Sequence, residues 1–458
     1  MAKQIKIKNG LDIPINGVSA LRLVDAIDIK EYAIKPTDYV GLTPKLLVAE
    51  GDSIEAGSAV ICDKNNPQIL FTSPVSGIVK AIRRGQRRVI QEIVIERTET
   101  ESKPTAHNTQ ETDIKQLLLS TGLWPTIRQR PFGIIAQTDQ TPKAIFVSCF
   151  DSSPLAPEAD FVMQGRHKDF VKGVETLTRL TNGKVHLSFR KNQELYKTAN
   201  EQLGNNSSVI IHQVEGPHPA GNVGPQIAAI DPINKGETVW TVQLQDVATI
   251  GHLMLTGEYE PLRVIAVAGS EASTPQYYKV LAGASMQKIC AEQISKDAHC
   301  RVISGNPLTG SKIEPDGFLG AYDSMCCILS EGDYYEFMGW LLPGTKKYSF
   351  WKTFLSGFCK KTCRTCSDKK SPYTIDTNMH GESRPFIFSD QYEDVFPFDI
   401  YPVQLIKAAI IGDIELMENL GIYEVEPEDF ALCEFIDPSK TEIQHIIREA
   451  LEKIRRES

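Results

Sequence analysis

Over residues 1–100 apolar and polar positions alternate in short runs, and the runs are broken by Glu50-Gly51-Asp52, Glu55-Ala56-Gly57 and Ser73-Pro74-Val75-Ser76-Gly77. The pattern predicts β structure, with strands over Ile78–Ile82 and Arg87–Glu96 and with Val89, Ile93 and Ile95 on buried faces. Residues 101–112 are polar and aperiodic, and read as a linker. From 113 to 257 the period changes. Short apolar runs at Ala144–Cys149, Val185–Phe189 and Ser208–Ile211 alternate with helical spacing. The clearest helix is predicted over Ala159–Asn182, where Phe161, Val162, Phe170, Val174, Leu177 and Leu180 share a stripe closed by Gly183. Alternation of this kind predicts βαβ units and a Rossmann-like, largely parallel sheet.

Residues 258–317 predict a small mixed domain. Val264–Ala268 and Arg301–Ile303 read as strands, and Ser285 caps a helix carrying Met286, Ile289, Cys290 and Ile294. A strand–helix–strand unit this compact fits a β-grasp (SLBB-like) fold. Residues 318–375 are irregular, with aromatic residues Tyr334, Tyr335, Phe337, Trp340, Phe350 and Trp351. Residues 376–458 predict a helical bundle. Leu405, Ile406, Ala409, Ile410, Leu416, Met417 and Leu420 form one stripe stopped by Gly421, and a short helix starts at Pro427 and ends near Phe435. Ser439–Glu442 reads as a capping box for a last helix with Ile443, Ile446, Ile447, Leu451 and Ile454 on its apolar face. The fold class is therefore α/β and multidomain. The turn order of the first hundred residues resembles the flattened barrel of biotinyl and lipoyl carrier domains. Lys64 lies near the tip those carriers modify, but Asp63-Lys64-Asn65-Asn66 contains no methionine, and Lys64 reads as an exposed turn residue.

With 41% hydrophobic and 23% charged residues, the 458-residue composition is that of a soluble globular protein. A net charge of −9 offers no basic face for nucleic acid and no adhesion to anionic lipid. No run reaches the roughly 18 apolar residues that a spanning helix needs. The start, MAKQIKIKNG, has no secretory apolar core, so the chain is expected in the cytoplasm with its ten cysteines reduced.

One cysteine group carries a metal-ligand spacing. Cys359, Cys363 and Cys366 form C-x₃-C-x₂-C, which holds an iron–sulfur cluster, or zinc with His380 or Cys433 as a fourth ligand. Lys360, Lys361 and Arg364 would lower the thiol pKa values. The alternative is a set of free thiols, which the position in a late loop favours. His218 reads either as an acid–base group or as part of a tight interdomain turn. Arg128 and Arg130, beside Trp124, read as contacts for a partner or an anion, or as solvated surface, the commoner fate. No catalytic or cofactor-binding residue is assigned.

The longer strings define a family likeness. His218-Pro219-Ala220-Gly221-Asn222-Val223-Gly224, Val239-Trp240, Gln245–Gly251, Arg301–Gly305, Gly339–Gly344, Phe396–Pro402 and Glu428–Cys433 follow one another along nearly the whole chain. In that order they resemble the A subunits of the sodium-translocating NADH:quinone (ubiquinone) reductases, and more distantly the NADH-binding subunit of respiratory complex I. The resemblance implies a peripheral subunit on the cytoplasmic face of the bacterial inner membrane. It would act at the quinone-reducing end of a sodium-pumping complex, beside subunits B to F. NADH, FAD, FMN, riboflavin, iron–sulfur centres and quinone would belong to other subunits, with quinone also a candidate ligand here. Relatives that bind FMN and NADH carry a glycine-rich loop where this chain has Ser120–Pro131, with one glycine, Trp124 and two prolines. Pro125 and Pro131 offer no amide to a phosphate, so no nucleotide is expected there. The family's second cysteine after Cys433 is replaced by Asp437. The rival readings are a stand-alone flavin or NADH oxidoreductase and a metal protein built on the cysteine triplet. Protein purified without oxygen is expected to be colourless and to hold neither iron nor zinc in stoichiometric amount. One metal ion per chain, or a cluster absorbance, would contradict the free-thiol reading.

Overall fold

The computed structural model describes residues 3–457 apart from 26–27, 99–106, 108, 110–112, 296–298, 340, 345–346, 352–353, 355–371 and 388–389. Its centre is a seven-stranded sheet. Strands Ala144–Ser148, Lys184–Arg190, Val209–Glu215 and Val239–Thr241 run parallel within it. Such strands are covered on both faces, which explains their continuous apolar runs. Ile145, Phe146, Val147, Val185, Leu187 and Phe189 are all buried. The chain starts in the middle of the sheet at Ala144–Ser148, moves outward to Lys184–Arg190 and Val209–Glu215, and then crosses back to Val239–Thr241 on the other side.

Earlier segments of the chain complete the sheet, with Gln4–Lys6 at one edge and Ile134–Ile135, paired to Arg128–Arg130, at the other. Gln4–Lys6 pairs in parallel with Val209–Glu215, and Arg128–Arg130 pairs antiparallel with Val239–Thr241. Helices His167–Leu177 and Leu244–Thr256 cross at Gly173 and Gly251. A Cβ on Gly251 would overlap the Asp169 carbonyl, so the backbones meet where no side chain fits. The expected single helix over Ala159–Asn182 is two, Ala159–Val162 and His167–Leu177, separated by a turn with Gly165 at φ +79°. Gly183 closes neither. It enters the next strand against the Lys143 carbonyl.

The first hundred residues form a four-stranded sheet (Glu31–Ile34, Ser53–Ile54, Gly77–Arg84, Ile90–Arg97) and a three-stranded one (Pro44–Leu46, Ala59–Asp63, Leu70–Thr72). Val60, Ile61, Phe71, Val79, Ile93 and Ile95 fill the core that they share. Ile93 and Ile95 are buried as the alternation requires, whereas Val89 is exposed at the turn before its strand. Lys64 is exposed.

A second mixed sheet contains Leu262–Ala268, Gln276–Leu281, Cys300–Ser304 and Ser311–Ile313, with helix Gln287–Gln293 beside it. Met325–Ser330, within the stretch expected to be irregular, pairs in parallel with Leu262–Ala268, and Leu23–Val24 adds an edge. Asp246 on the Leu244–Thr256 helix and Arg263 on this sheet form a buried ion pair at 2.8 Å, tying the two layers together.

The carboxyl-terminal helices are Pro402–Ile411, Ile414–Asn419, Ala431–Ile436 and Ile443–Glu457. The stripe from Leu405 to Leu420 does not make one helix. Gly412 turns left-handed at φ +73° and Asp413 accepts from the Leu416 amide to cap a new one. On the last helix Ile443, Ile447, Leu451 and Ile454 are buried. No Ser439–Glu442 box precedes it: the buried Asp437 carboxylate instead accepts from the Ser439 and Thr441 amides at 3.0 and 2.8 Å. Among the described residues, no helix is long and apolar enough to cross a membrane.

His186 and His212 lie stacked inside the central sheet, with His186 also stacked on Phe146. The Lys3 amide donates to His212 Nδ1, which leaves His212 Nε2 to donate to His186 Nδ1 at 2.9 Å. Burial pushes both imidazoles down to about 4. The neutral form is therefore favoured by folding, and the stability it gives is complete above the ordinary value of 6.5 and lost as pH falls through about 4. Imidazole NMR titration of the intact protein is expected to place both midpoints near 4. Midpoints near 6.5 would show the pair open to water.

Candidate functional site

In an open parallel sheet, ligands bind beyond the carboxyl ends of the strands, at the place where the strand order reverses. Here that place lies between Ala144–Ser148 and Val239–Thr241. A crevice of about 440 Å³ opens there, and Ser148 and Thr241 form part of its wall. Other units complete it: Asn306 and Met325 belong to the second sheet region, and Glu428, Gln444 and Arg448 to the carboxyl-terminal helices. The volume lies within the range of small-molecule sites, roughly 300–1,000 Å³.

One wall is built on the loop that follows the Val209–Glu215 strand. His218 is buried, and a cis peptide joins it to Pro219. Its backbone amide donates to Asp12 at 2.9 Å. Its Nδ1 sits 3.1 Å from Ser152 Oγ, which accepts from the Gly221 amide at 2.7 Å. Burial holds the imidazole below its ordinary value, against the opposing charges of Asp151 and Asp12, so the ring is neutral at physiological pH. His218 thus holds the turn that follows the Val209–Glu215 strand and also faces the crevice. Ser148 Oγ donates to the Gly221 carbonyl at 2.7 Å and accepts from Gln226, which locks the same loop to the end of the central strand.

The other wall is ionic. Arg130, 2% exposed, donates to Glu428 at 2.5 Å and to Asp429 at 3.1 Å through its two terminal nitrogens. Arg448, on the last helix, reaches Glu426 at 3.0 Å and the Phe132 carbonyl at 2.8 Å. The Glu426 amide donates to Asp429 at 2.9 Å. A Cβ on Gly224 would overlap both Asp429 and Arg130, so that helix start approaches the pair only as glycine. Burial pushes Glu428 up, but Arg130, Arg128 and Arg448 outweigh it and leave the carboxyl below its ordinary value.

Arg130 is therefore not the solvated residue that its sequence context predicts. Arg128 is half-buried, stacked on the Tyr322 ring at 5.2 Å, and lines the crevice. The Ser120–Pro131 segment is filled: Trp124 is fully buried, donates to the Ala136 carbonyl at 2.7 Å and meets Trp240 edge-on. With Trp124 packed into the core and neither Pro125 nor Pro131 carrying an amide, the segment lacks the run of free amides that a phosphate-binding loop presents. Cys359, Cys363 and Cys366 lie outside the described residues. Of their proposed fourth ligands, His380 is exposed beside Asp376, and Cys433 is buried in the helical core, where burial pushes its thiol well up. Among the described residues, no group of three or more His, Cys, Asp or Glu could hold a metal ion. Sequence reasoning missed Glu426, Glu428, Asp429 and Arg448, whose separation from Arg130 by about three hundred positions carries no local signal.

The fold is that of a multidomain α/β protein. Three family descriptions match it: the NqrA N-terminal barrel-sandwich hybrid domain over residues 5–98, the NqrA second alpha/beta domain over 109–259 and the NQRA C-terminal (SLBB) domain over 264–314. The chain is 36% identical over 462 residues to the A subunit of the Na(+)-translocating NADH-quinone reductase of Yersinia pseudotuberculosis serotype I (strain IP32953), covering 99% of this chain and 100% of that protein. It is 36% identical over 463 residues to the counterpart of the same name in Pasteurella multocida (strain Pm70), with the same coverage. An NAD+-reducing NiFe-hydrogenase in the H2-reduced state is 10% identical at a TM-score of 0.33, over 42% of this chain and 41% of that one, a likeness too low to carry an argument. The chain belongs to the NqrA family, the A subunits of the Na(+)-translocating NADH-quinone reductase, and so to an oxidoreductase complex.

Breaking a buried ion pair strands the remaining charge, at a cost of about 3–5 kcal/mol. Arg130→Ala is expected to lower the unfolding free energy by about that much in denaturant titration. A loss below about 1 kcal/mol would show the pair to be solvated.

Proposed function

We propose that this chain works at the quinone-reducing end of the sodium pump, and that the crevice at the strand-order reversal receives the quinone headgroup. It is a peripheral subunit on the cytoplasmic face of the bacterial inner membrane, held there by subunits B to F rather than by a span of its own. Electrons originating on NADH reach it through flavins and iron–sulfur centres of those partners, and the chain holds no redox group itself. In this reading the central sheet is Rossmann-like, the second sheet is β-grasp (SLBB-like) and the carboxyl terminus is a helical bundle, with the divisions at 1–100, 113–257, 258–317 and 376–458.

The observation that carries the reading is the crevice, because it joins apolar to polar groups as a quinone requires. Phe150, Val242 and Met325 offer apolar surface, while His218 and Arg128 offer polar groups to a carbonyl oxygen. The filled loop at Trp124 supports it from the other side, since the place where nucleotide-binding relatives hold a phosphate is closed. A stand-alone flavin or NADH enzyme has no such loop to use here.

Photo-crosslinking of an azido-quinone in the assembled complex tests this. Labelled peptides are expected from the stretches 148–159, 218–223 or 427–448 of this chain. Label confined to membrane-embedded subunits would remove the quinone from it.

A further inference from the structure

Beneath the crevice, buried charges crowd together. Glu426, Glu428 and Asp429 converge on Arg130 and Arg448, so three carboxylates face two guanidinium groups in a buried cluster. Arg128, half-buried on the crevice wall, faces Glu428 from outside. Asp429 is the innermost member. Its Oδ2 accepts from Arg130 and from the Glu426 amide, while its Oδ1 has no hydrogen-bond donor among the described residues. A buried carboxylate oxygen without a donor is costly, and a proton bound to the group removes that buried negative charge. Glu428 shares the same guanidinium, is partly exposed and lines the crevice. One arginine thus bridges a buried acid and a carboxylate that faces the ligand space.

We propose that Asp429 stores a proton and that Glu428 carries it into the crevice to a reduced quinone. The inference rests on the quinone reading above. Burial pushes Asp429 up to about 7, against Arg130 and with the help of Glu428 and Glu426, so the group exchanges its proton near physiological pH. Reduction of a quinone takes two electrons and two protons. The complex supplies both electrons from NADH. One proton leaves the Asp429 O–H bond, passes through Glu428 and forms an O–H bond on the quinol. The second is a proton from bulk solvent carried in as hydronium through the crevice, and another solvent proton then restores Asp429, so that each quinol formed takes two protons from the bulk. Asp429 is a positioning and storage residue, and Glu428 is the group that touches the ligand.

The test uses the assembled complex and, separately, the purified chain. Infrared spectra of the chain labelled with ¹³C-aspartate should show a protonated carboxylic carbonyl at pH 6 that titrates near 7 and is lost in Asp429→Asn. In the complex, Asp429→Asn and Glu428→Gln should each lower kcat for quinol formation by about 100-fold. The limb of the pH profile near 7 should vanish, while the photolabel still falls in the same stretches of the chain. Absence of the protonated carbonyl in the unsubstituted chain overturns the proposal, as does a pH profile unaltered in both variants. Should Asp429→Asn fail to fold, Glu428→Gln decides, because that side chain is partly exposed. A photolabel that misses the crevice defeats the quinone reading and the delivery step with it, whereas the infrared band reports on the stored proton alone.

Discussion

The buried fork of Arg130 onto Glu428 and Asp429 joins parts of the chain that nothing local would bring together. Arg130 ends the strand next to the edge of the central sheet, the two acids open a short turn before the last helices, and Gly224 starts a helix that follows a parallel strand. Removing charge from water in this way costs energy, and the pair offsets it only because several polar groups converge on the same atoms. Arg448 anchors Glu426, and the Glu426 amide anchors Asp429. With the turn fixed there, the carboxyl-terminal helices stand against the carboxyl ends of the parallel strands. The crevice is the space left between them.

That placement links the architecture to the chemistry. The parallel sheet alone would leave the strand-order reversal open to solvent, a shallow site on one unit. The second sheet and the helices wall it in, so that the crevice is lined by three separately built units. Meanwhile the loop after the linker has been closed by Trp124, whose ring and indole nitrogen are both satisfied inside the protein. The closed loop and the open crevice occupy different parts of the same layer.

Much of the fold could be read from periodicity. The strand Ala144–Ser148 and the apolar stripe Ile443, Ile447, Leu451 and Ile454 depend on neighbours within one element, and both stand where the pattern places them. Features set by distant partners were not legible. Gln4–Lys6 becomes a strand because Val209–Glu215 offers it an edge, and Met325–Ser330 because Leu262–Ala268 does. The break at Gly412 hides in an unbroken hydrophobic stripe, because the left-handed turn and the Asp413 cap change direction without changing composition. Of the site, His218 was visible as a turn histidine. Arg130 looked like surface, since an arginine between glutamine and proline reveals nothing of the acids that lie across the fold.

The central claim is that Arg130 and Asp429 act as one unit that sets the helices against the sheet. A double-mutant cycle with Arg130→Met and Asp429→Leu, followed by denaturant unfolding, measures this directly. The account predicts that the double variant is more stable than the sum of the single losses by about 2–3 kcal/mol, because two apolar groups replace a stranded charge. Losses that add within about 0.5 kcal/mol would show the two residues to be energetically independent, and the ionic floor would then not be what assembles the crevice.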